Sequence, residues 1–177
     1  KHIYRAGLRA LERASYLSTY ISPETSLLDI GSGGGEFLYL MKKLGISVNG
    51  IEPNIGYANF SSGHYGVNVE LGRVEDVASN SKTWDIITIH HVLEHLLAPV
   101  EVLKSLASLL NSSGIIALEV PNIEADYHSP NRQFHMAHLH NFSFEGLIFA
   151  ANQAGLQLNS IQTMPNTKHL NAVFKKW

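Results

Sequence analysis

What most constrains this chain is the stretch LLDIGSGGGEFLYL at residues 27–40. There an apolar run breaks into four glycines within five residues, then resumes with helical spacing at Phe37, Leu40 and Met41. A buried run that changes to a helical period across a glycine loop reads as strand, tight turn, helix. Glycines permit positive φ and leave no side chain in the way, so a ligand can lie against backbone N–H groups where the helix begins. The next apolar stretch, 46–51, runs into Glu52. This places a carboxylate at the tip of a neighbouring strand, where it can accept both hydrogen bonds of a ribose diol.

Glycine spacing separates the ligand classes that use such a junction. The dinucleotide fingerprint is G-x-G-x-x-G, but Gly31, Gly33 and Gly35 are followed by Glu36 where its last glycine belongs. Glu36 also falls in the first helical turn, where an acid suits the helix dipole but repels a pyrophosphate. A nucleoside without phosphates fits better, and a dinucleotide oxidoreductase is the less favoured alternative. From Asp29 to Gly35 the chain resembles the first motif of the class I S-adenosylmethionine-dependent methyltransferases, an acid, one residue, then G-x-G-x-G. The segment WDIITIHHVLEHLLAPVEVL, 84–103, resembles the fourth-motif region of the type 11, 12 and 23 groups of that family.

The resemblance implies S-adenosyl-L-methionine as cofactor, with contacts from Asp29, Gly31, Ser32, Gly33, Gly35, Glu52, Pro53, Val74, Glu75 and His90. Within that set Glu52 would clamp the ribose and Asp29 would shape the loop and the methionine end. The family commonly offers an acid to adenine after the third strand; this chain reads Gly72-Arg73-Val74-Glu75-Asp76. Glu75 is then the alternative acceptor, unless Glu75 and Asp76 are simply first-turn acids.

At 177 residues, 45% hydrophobic and 16% charged, the chain fits one globular domain, 1–177, with a sizeable core. A net charge of −2 with scattered Lys and Arg gives no footprint for nucleic acid or an anionic membrane. A small-molecule methyl acceptor is the expected partner. The absence of cysteine permits a reducing compartment, and the cytoplasm is expected. No apolar run approaches the roughly 18 residues of a membrane helix. The first residue is Lys1, so the chain is expected to be a processed product or part of a longer one.

Alternating periods predict a helix ahead of the first strand over 1–21, amphipathic from Tyr4, with Leu8, Leu11, Tyr16, Leu17 and Tyr20 set among Arg5, Arg9, Glu12 and Arg13. Further strands are predicted at 46–51, 67–71, 84–90, 115–120, 156–163 and 170–174, and helices at 57–65, 99–110 and 144–154. Pro165-Asn166 would turn the last two strands. The order argues for an α/β fold, a Rossmann-like doubly wound, mostly parallel sheet of seven strands. The resemblance adds an antiparallel hairpin at its edge. Residues 122–141 lack clean periodicity and read as a substrate lid or loop.

Seven of the ten histidines lie between His90 and His140. His90 and His91 end a strand at the ligand side of such a sheet. Methyl transfer from a sulfonium is an in-line displacement, accelerated mostly by holding nucleophile and methyl at attack distance. A base is needed only for an acceptor that must lose a proton, and histidine suits a hydroxyl or an acidic carbon. The candidates are His138, then His140, His91 and His135. His91-x-x-Glu94-His95 also has helical spacing for metal ligands. It is similar to the E-x-x-E-H cluster of small-RNA 2′-O-methyltransferases and quinone-pathway O-methyltransferases, but with His91 in the first position no metal is assigned.

The expected activity is methyl transfer to a hydroxyl or carbon of a small molecule such as a sugar, sugar nucleotide, quinone or secondary metabolite. The alternatives are a catalytically silent S-adenosylmethionine-binding module and a metal-assisted RNA 2′-O-methyltransferase.

Overall fold

The computed structural model describes residues 2–79, 82–126, 134–161 and 168–177. Among them seven strands form one sheet: β1 (Ser26–Ile30), β2 (Ser47–Glu52), β3 (Asn68–Leu71), β4 (Trp84–His90), β5 (Leu110–Pro121), β6 (Leu156–Ile161) and β7 (His169–Lys176). Their order is β3-β2-β1-β4-β5-β7-β6. The first five are parallel, and β7 runs antiparallel to both β5 and β6. The chain winds outward from β1 to β3 and returns to β4, which opens a crevice beyond the carboxyl ends of β1 and β4.

Among the described residues five helices accompany the sheet: α1 (His2–Leu17), α2 (Glu36–Lys43), α3 (Ile55–Tyr65), α4 (Pro99–Ser108) and α5 (Phe144–Gln153). Local chemistry starts two of them. Asn54 accepts from the Tyr57 N–H and Ser143 from the Gly146 N–H, caps worth about 1 kcal/mol each. Pro99 occupies the first turn of α4, where its missing N–H costs nothing.

Period-2 alternation divides the strands between two cores. Leu27, Ile86 and Ile115 meet Ala10, Ala14 and Leu17 of α1 and Phe37, Leu38 and Met41 of α2. Leu28, Ile87 and Ile116 face the opposite way, toward Leu103 and Leu106 of α4 and Leu147 and Ala151 of α5. Each large side chain so enclosed contributes about 1.5–3 kcal/mol.

Several element bounds differ from the sequence expectation. α1 ends at Leu17 and tightens into a 3₁₀ turn, Ser18–Tyr20. Its buried side is carried by Leu17 with Ala10 and Ala14, the alanines small enough to bring it against α2, whereas Leu8 and Leu11 stay exposed. β5 begins five residues earlier than expected, because Leu110 pairs with Trp84 across a register shift. His91-x-x-Glu94-His95 is not on a helix: Leu93–His95 is a single 3₁₀ turn. In the lid stretch 122–141, residues 127–133 lie outside the described residues, as do Thr163 and the Pro165-Asn166 turn.

Candidate functional site

The glycine loop is stitched to β2. The N–H groups of Gly31 and Ser32 both donate to the Ile51 carbonyl, at 2.8 and 3.2 Å. Gly31 has φ 71°, and a Cβ there would stand 2.4 Å from Val92 Cγ2, so nothing larger fits. Gly33, at φ 54°, has nothing within 4 Å of where a Cβ would be; its open side is room for a ligand. Gly35 closes the loop as the left-handed cap of α2. The Ser32 side chain is buried with its hydroxyl beside Gly50, and Ser32 lines the same cavity as Gly33.

Glu52 ends β2 and is 6% exposed. Its Oε2 accepts from the Gly33 N–H at 2.9 Å and its Oε1 from the Asn54 N–H at 2.8 Å. Each carboxylate oxygen keeps a further lone pair for a hydroxyl. Glu52 lines a cavity of about 420 Å³ with Gly31, Pro53, Val74, Glu75 and Leu96. The two acids after β3 part company here. Asp76 accepts from the Arg73 N–H at 3.3 Å as a turn acid, while Glu75 lines the cavity.

Gly31 also borders a second cavity of about 220 Å³, on the α1 side. Arg9 and Arg13 of α1 line it opposite Asp29 and Glu36. The Glu36 carboxylate folds back over the loop, with its oxygens 2.6 and 2.8 Å from where a Cβ on Gly34 would be. A chamber with both charge signs on its walls suits a zwitterion. Asp29 accepts from the Thr88 hydroxyl at 2.7 Å. His90 stands with Nδ1 3.4 Å from Asp29 and Nε2 3.1 Å from the Tyr16 hydroxyl. Burial pushes the His90 pKa down, so the ring is neutral at neutral pH. Burial also pushes the Tyr16 phenol up, and Glu119 adds to that.

Beyond β4 the wall turns at His91, whose φ of 56° is the only positive value on a non-glycine among the described residues. Such strain persists where the surroundings hold it, and it clusters at functional sites. The His91 N–H donates to the Glu119 carbonyl at 2.8 Å. Its Nδ1 lies 3.2 Å from Glu94 Oε1 and its Nε2 2.9 Å from Glu119 Oε1. Burial lowers the pKa of this imidazole, but bonds to Glu119 and Glu94 prevail and raise it to about 9. With both nitrogens engaged, His91 is a poor base at neutral pH.

Glu119 of β5 is held well below the usual carboxylate range. Burial would raise it, but hydrogen bonds from His91 and Arg13 dominate. Arg13 reaches it from α1 with two bonds of 2.9 Å. His169 opens β7 with its ring 4.6 Å from that of His91 and Nδ1 3.8 Å from Glu119 Oε1.

The remaining sequence candidates form a separate group. His135 and His138 are neighbours at 4.9 Å, and His138 is as close to His95. His140 donates its backbone N–H to the Glu94 carbonyl and lies beside Phe142. Ligand atoms of Glu94, His95 and His138 lie within 4.8 Å of one another, near enough to share a divalent cation. His95 Nδ1 is 2.8 Å from the Ala137 carbonyl, which leaves Nε2 for coordination, and Glu94 Oε2 is buried without a hydrogen-bond partner. His91, Glu119 and His169 are equally close, but Arg13 already compensates that carboxylate.

Arg9, Arg13, Glu119 and His169 were not among the site residues expected from sequence. For the two arginines the signal was their i, i+4 spacing on α1, which reads equally well as a solvated face.

A methyltransferase domain model matches residues 2–161. The ubiquinone biosynthesis O-methyltransferase of Xanthomonas axonopodis pv. citri is 32% identical over 117 residues, covering 62% of this chain and 49% of that protein. Its counterpart in Colwellia psychrerythraea is 28% identical over 105 residues, 56% of this chain and 43% of that protein. The chain thus spans about half the length, or less, of these curated relatives. Among solved structures, a SAM dependent methyltransferase from Archaeoglobus fulgidus superimposes with a TM-score of 0.78 at 22% identity, covering 93% of this chain and 92% of that one. Magnesium protoporphyrin IX methyltransferase from Synechocystis PCC 6803, solved with bound SAH, gives 0.75 at 10% identity, covering 97% and 84%. These likenesses show the shared fold.

Proposed function

The chain belongs to the methyltransferase domain family, and on that premise we propose that it transfers a methyl group from S-adenosylmethionine to a hydroxyl of a small molecule. The observation that carries this reading is the pair of cavities meeting at Gly31. One ends in the Glu52 acceptor, and the other is lined by Arg9 and Arg13 opposite Asp29 and Glu36. A nucleoside joined to an amino acid has this division of chemistry, diol on one side and zwitterion on the other. When bound, the cofactor supplies an electrophilic methyl on a sulfonium.

The chain's own residues then have separable tasks. Glu52 would receive the ribose hydroxyls, and Val74 and Glu75 would border the adenine. Arg9 and Arg13 would face the carboxylate of the methionine end, and Asp29 and Glu36 its ammonium. His90, neutral and fixed by Tyr16, would close the wall beside the sulfonium. An acceptor would enter over β5 and β7, where His91, Glu119 and His169 meet. The relatives' names favour oxygen as the methylated atom. The net charge of −2 favours a small acceptor over nucleic acid.

Calorimetry with S-adenosylhomocysteine tests the reading, with methylthioadenosine, which lacks the amino-acid end, as comparison. Tight binding of the first and clearly weaker binding of the second is expected; no heat with either would refute it. Binding without turnover on any hydroxyl-bearing probe would favour a silent binding module.

One observation favours metal-assisted transfer as a second reading: the unpartnered, buried Glu94 Oε2 beside His95 and His138. In that case these three residues would hold a divalent cation that polarises the acceptor oxygen. Elemental analysis of untagged protein decides it, since a stoichiometric metal lost on Glu94→Gln is required.

A further inference from the structure

We propose that the exposed face of α1 is an interface at which a second copy of this chain docks, with its own α1 antiparallel to the first. Tyr4, Leu8 and Leu11 follow one another at helical spacing, so they form one stripe along α1. They are 71, 43 and 57% exposed, whereas Ala10, Ala14 and Leu17 take the side that meets the core. The stripe continues into a groove of about 400 Å³, which Tyr39, Leu40 and Tyr65 line from the opposite side. Gly7 borders this groove with nothing within 4 Å of where a Cβ would stand, so an incoming side chain has room there. A contiguous apolar patch rimmed by polar residues marks a contact site.

Charge identifies the occupant. Arg5 and Glu12 are both exposed, and neither joins an ion pair among the described residues. One heptad apart, they lie on the same flank of the stripe. A two-fold axis crossing α1 at the level of Arg9 reverses the direction of the helix and keeps that flank on the same side. Arg5 then meets Glu12 of the second copy, and Glu12 meets its Arg5, so one operation matches both charges twice. The same reversal lays Leu8 beside Leu11 of the second copy and Tyr4 over its Ser15. Arg9 and Arg13, which line the cavity beside Gly31, are left out of the contact.

A lipid surface fits this face less well. Anionic headgroups would attract Arg5 but would also meet Glu12 on the same flank and Glu36 in the groove. Between two copies, a net charge of −2 leaves little long-range repulsion.

Sedimentation equilibrium of the purified chain from ~1 to ~500 μM should show a monomer–dimer equilibrium. The melting temperature should rise with protein concentration, because association stabilises the folded chain. Arg5→Glu and Glu12→Arg each set like charges at both matched positions and should weaken the dimer ~10-fold or more. Mixed in equal amounts, the two variants should form a heterodimer as tight as the native dimer, since each then offers the charge the other lacks. Both changes in one chain should likewise restore the homodimer. Leu8→Glu should abolish association with its helix content kept in circular dichroism; were it to unfold, the charge variants decide alone. A monomer at every concentration would overturn the proposal, as would a dimer that none of the variants weakens. Single variants that weaken the dimer but fail to rebuild it when mixed would overturn the antiparallel pairing. A native chain that stays monomeric yet floats with phosphatidylserine-containing vesicles would assign the face to a lipid surface instead.

Discussion

Arg13 and Glu119 meet across 106 positions of sequence, the guanidinium Nε and Nη2 each 2.9 Å from a different carboxylate oxygen. The pair joins α1 to the end of β5 and is largely shielded, with side-chain exposures of 16% and 7%. Removing one partner of such a pair leaves a buried charge uncompensated, which costs about 3 kcal/mol. Arg13→Leu should therefore lower the urea midpoint strongly and weaken S-adenosylhomocysteine binding. A stability change under ~0.5 kcal/mol would mean that α1 does not dock this way in solution.

Gly31 and Gly33 make opposite predictions although both have positive φ. Gly31→Ala meets Val92 at 2.4 Å and should destabilise the fold by ~2 kcal/mol or more. Adding Val92→Ala should recover only the steric part, because the backbone strain remains. Gly33→Ala has free space, so it should cost only ~1 kcal/mol of backbone strain. Its methyl would point into the open side of the loop, so cofactor affinity should fall more than stability. Thermal melts and calorimetry on the three variants separate these outcomes.

Glu52 combines two duties, since it already accepts from Gly33 and Asn54. Glu52→Ala should weaken S-adenosylhomocysteine ~10- to 100-fold, the scale of lost hydrogen bonds to a charged group. It should also destabilise the unliganded protein by ~1–2 kcal/mol, because two part-buried N–H groups lose their acceptor. Unchanged affinity would remove Glu52 from the ribose site.

Asp85 sits at the opposite end of the sheet and sets an acid-stability prediction. Burial would raise its pKa, but bonds from the Ser26 N–H, the Asn111 amide and the Ser26 hydroxyl prevail and lower it. A folded-state pKa below the unfolded value contributes stability above about pH 4, lost as pH falls through the folded value. Native protein should thus lose more stability than Asp85→Asn on going from pH 5 to pH 2. Parallel losses in denaturant titrations would show the network to be without net effect.

The cofactor half of this molecule was legible in its sequence because its determinants are local. A glycine loop, the helix after it and an acid at the next strand tip declare themselves within 26 residues, Leu27 to Glu52. The succession of strands and helices along the chain followed from the alternation of periods. The half over β5 and β7 was not legible. Arg13, Glu119 and His169 carry no motif, and they meet only because α1, β5 and β7 converge. Likewise the tandem His91-x-x-Glu94-His95 suggested a helix, but with the positive φ at His91 and the short 3₁₀ turn His91 bridges Glu94 to Glu119 while His95 meets the Ala137 carbonyl and His138. Periodicity did place Leu17 in the core, but it could not foresee that Ala10 and Ala14, rather than Leu8 and Leu11, would join it there.

The mouth of this sheet is divided: β1 and β2 serve one half, β5 and β7 the other, and they adjoin at the paired histidines ending β4. Glu119 of β5 nevertheless holds Arg13, which lines the cavity beside Gly31, so one substitution on β5 reaches across to the loop. A directed-evolution library on β5 and β7 has to leave Glu119 and the fully buried Leu118, Val120 and Phe174 untouched if it is to vary that half of the mouth by itself.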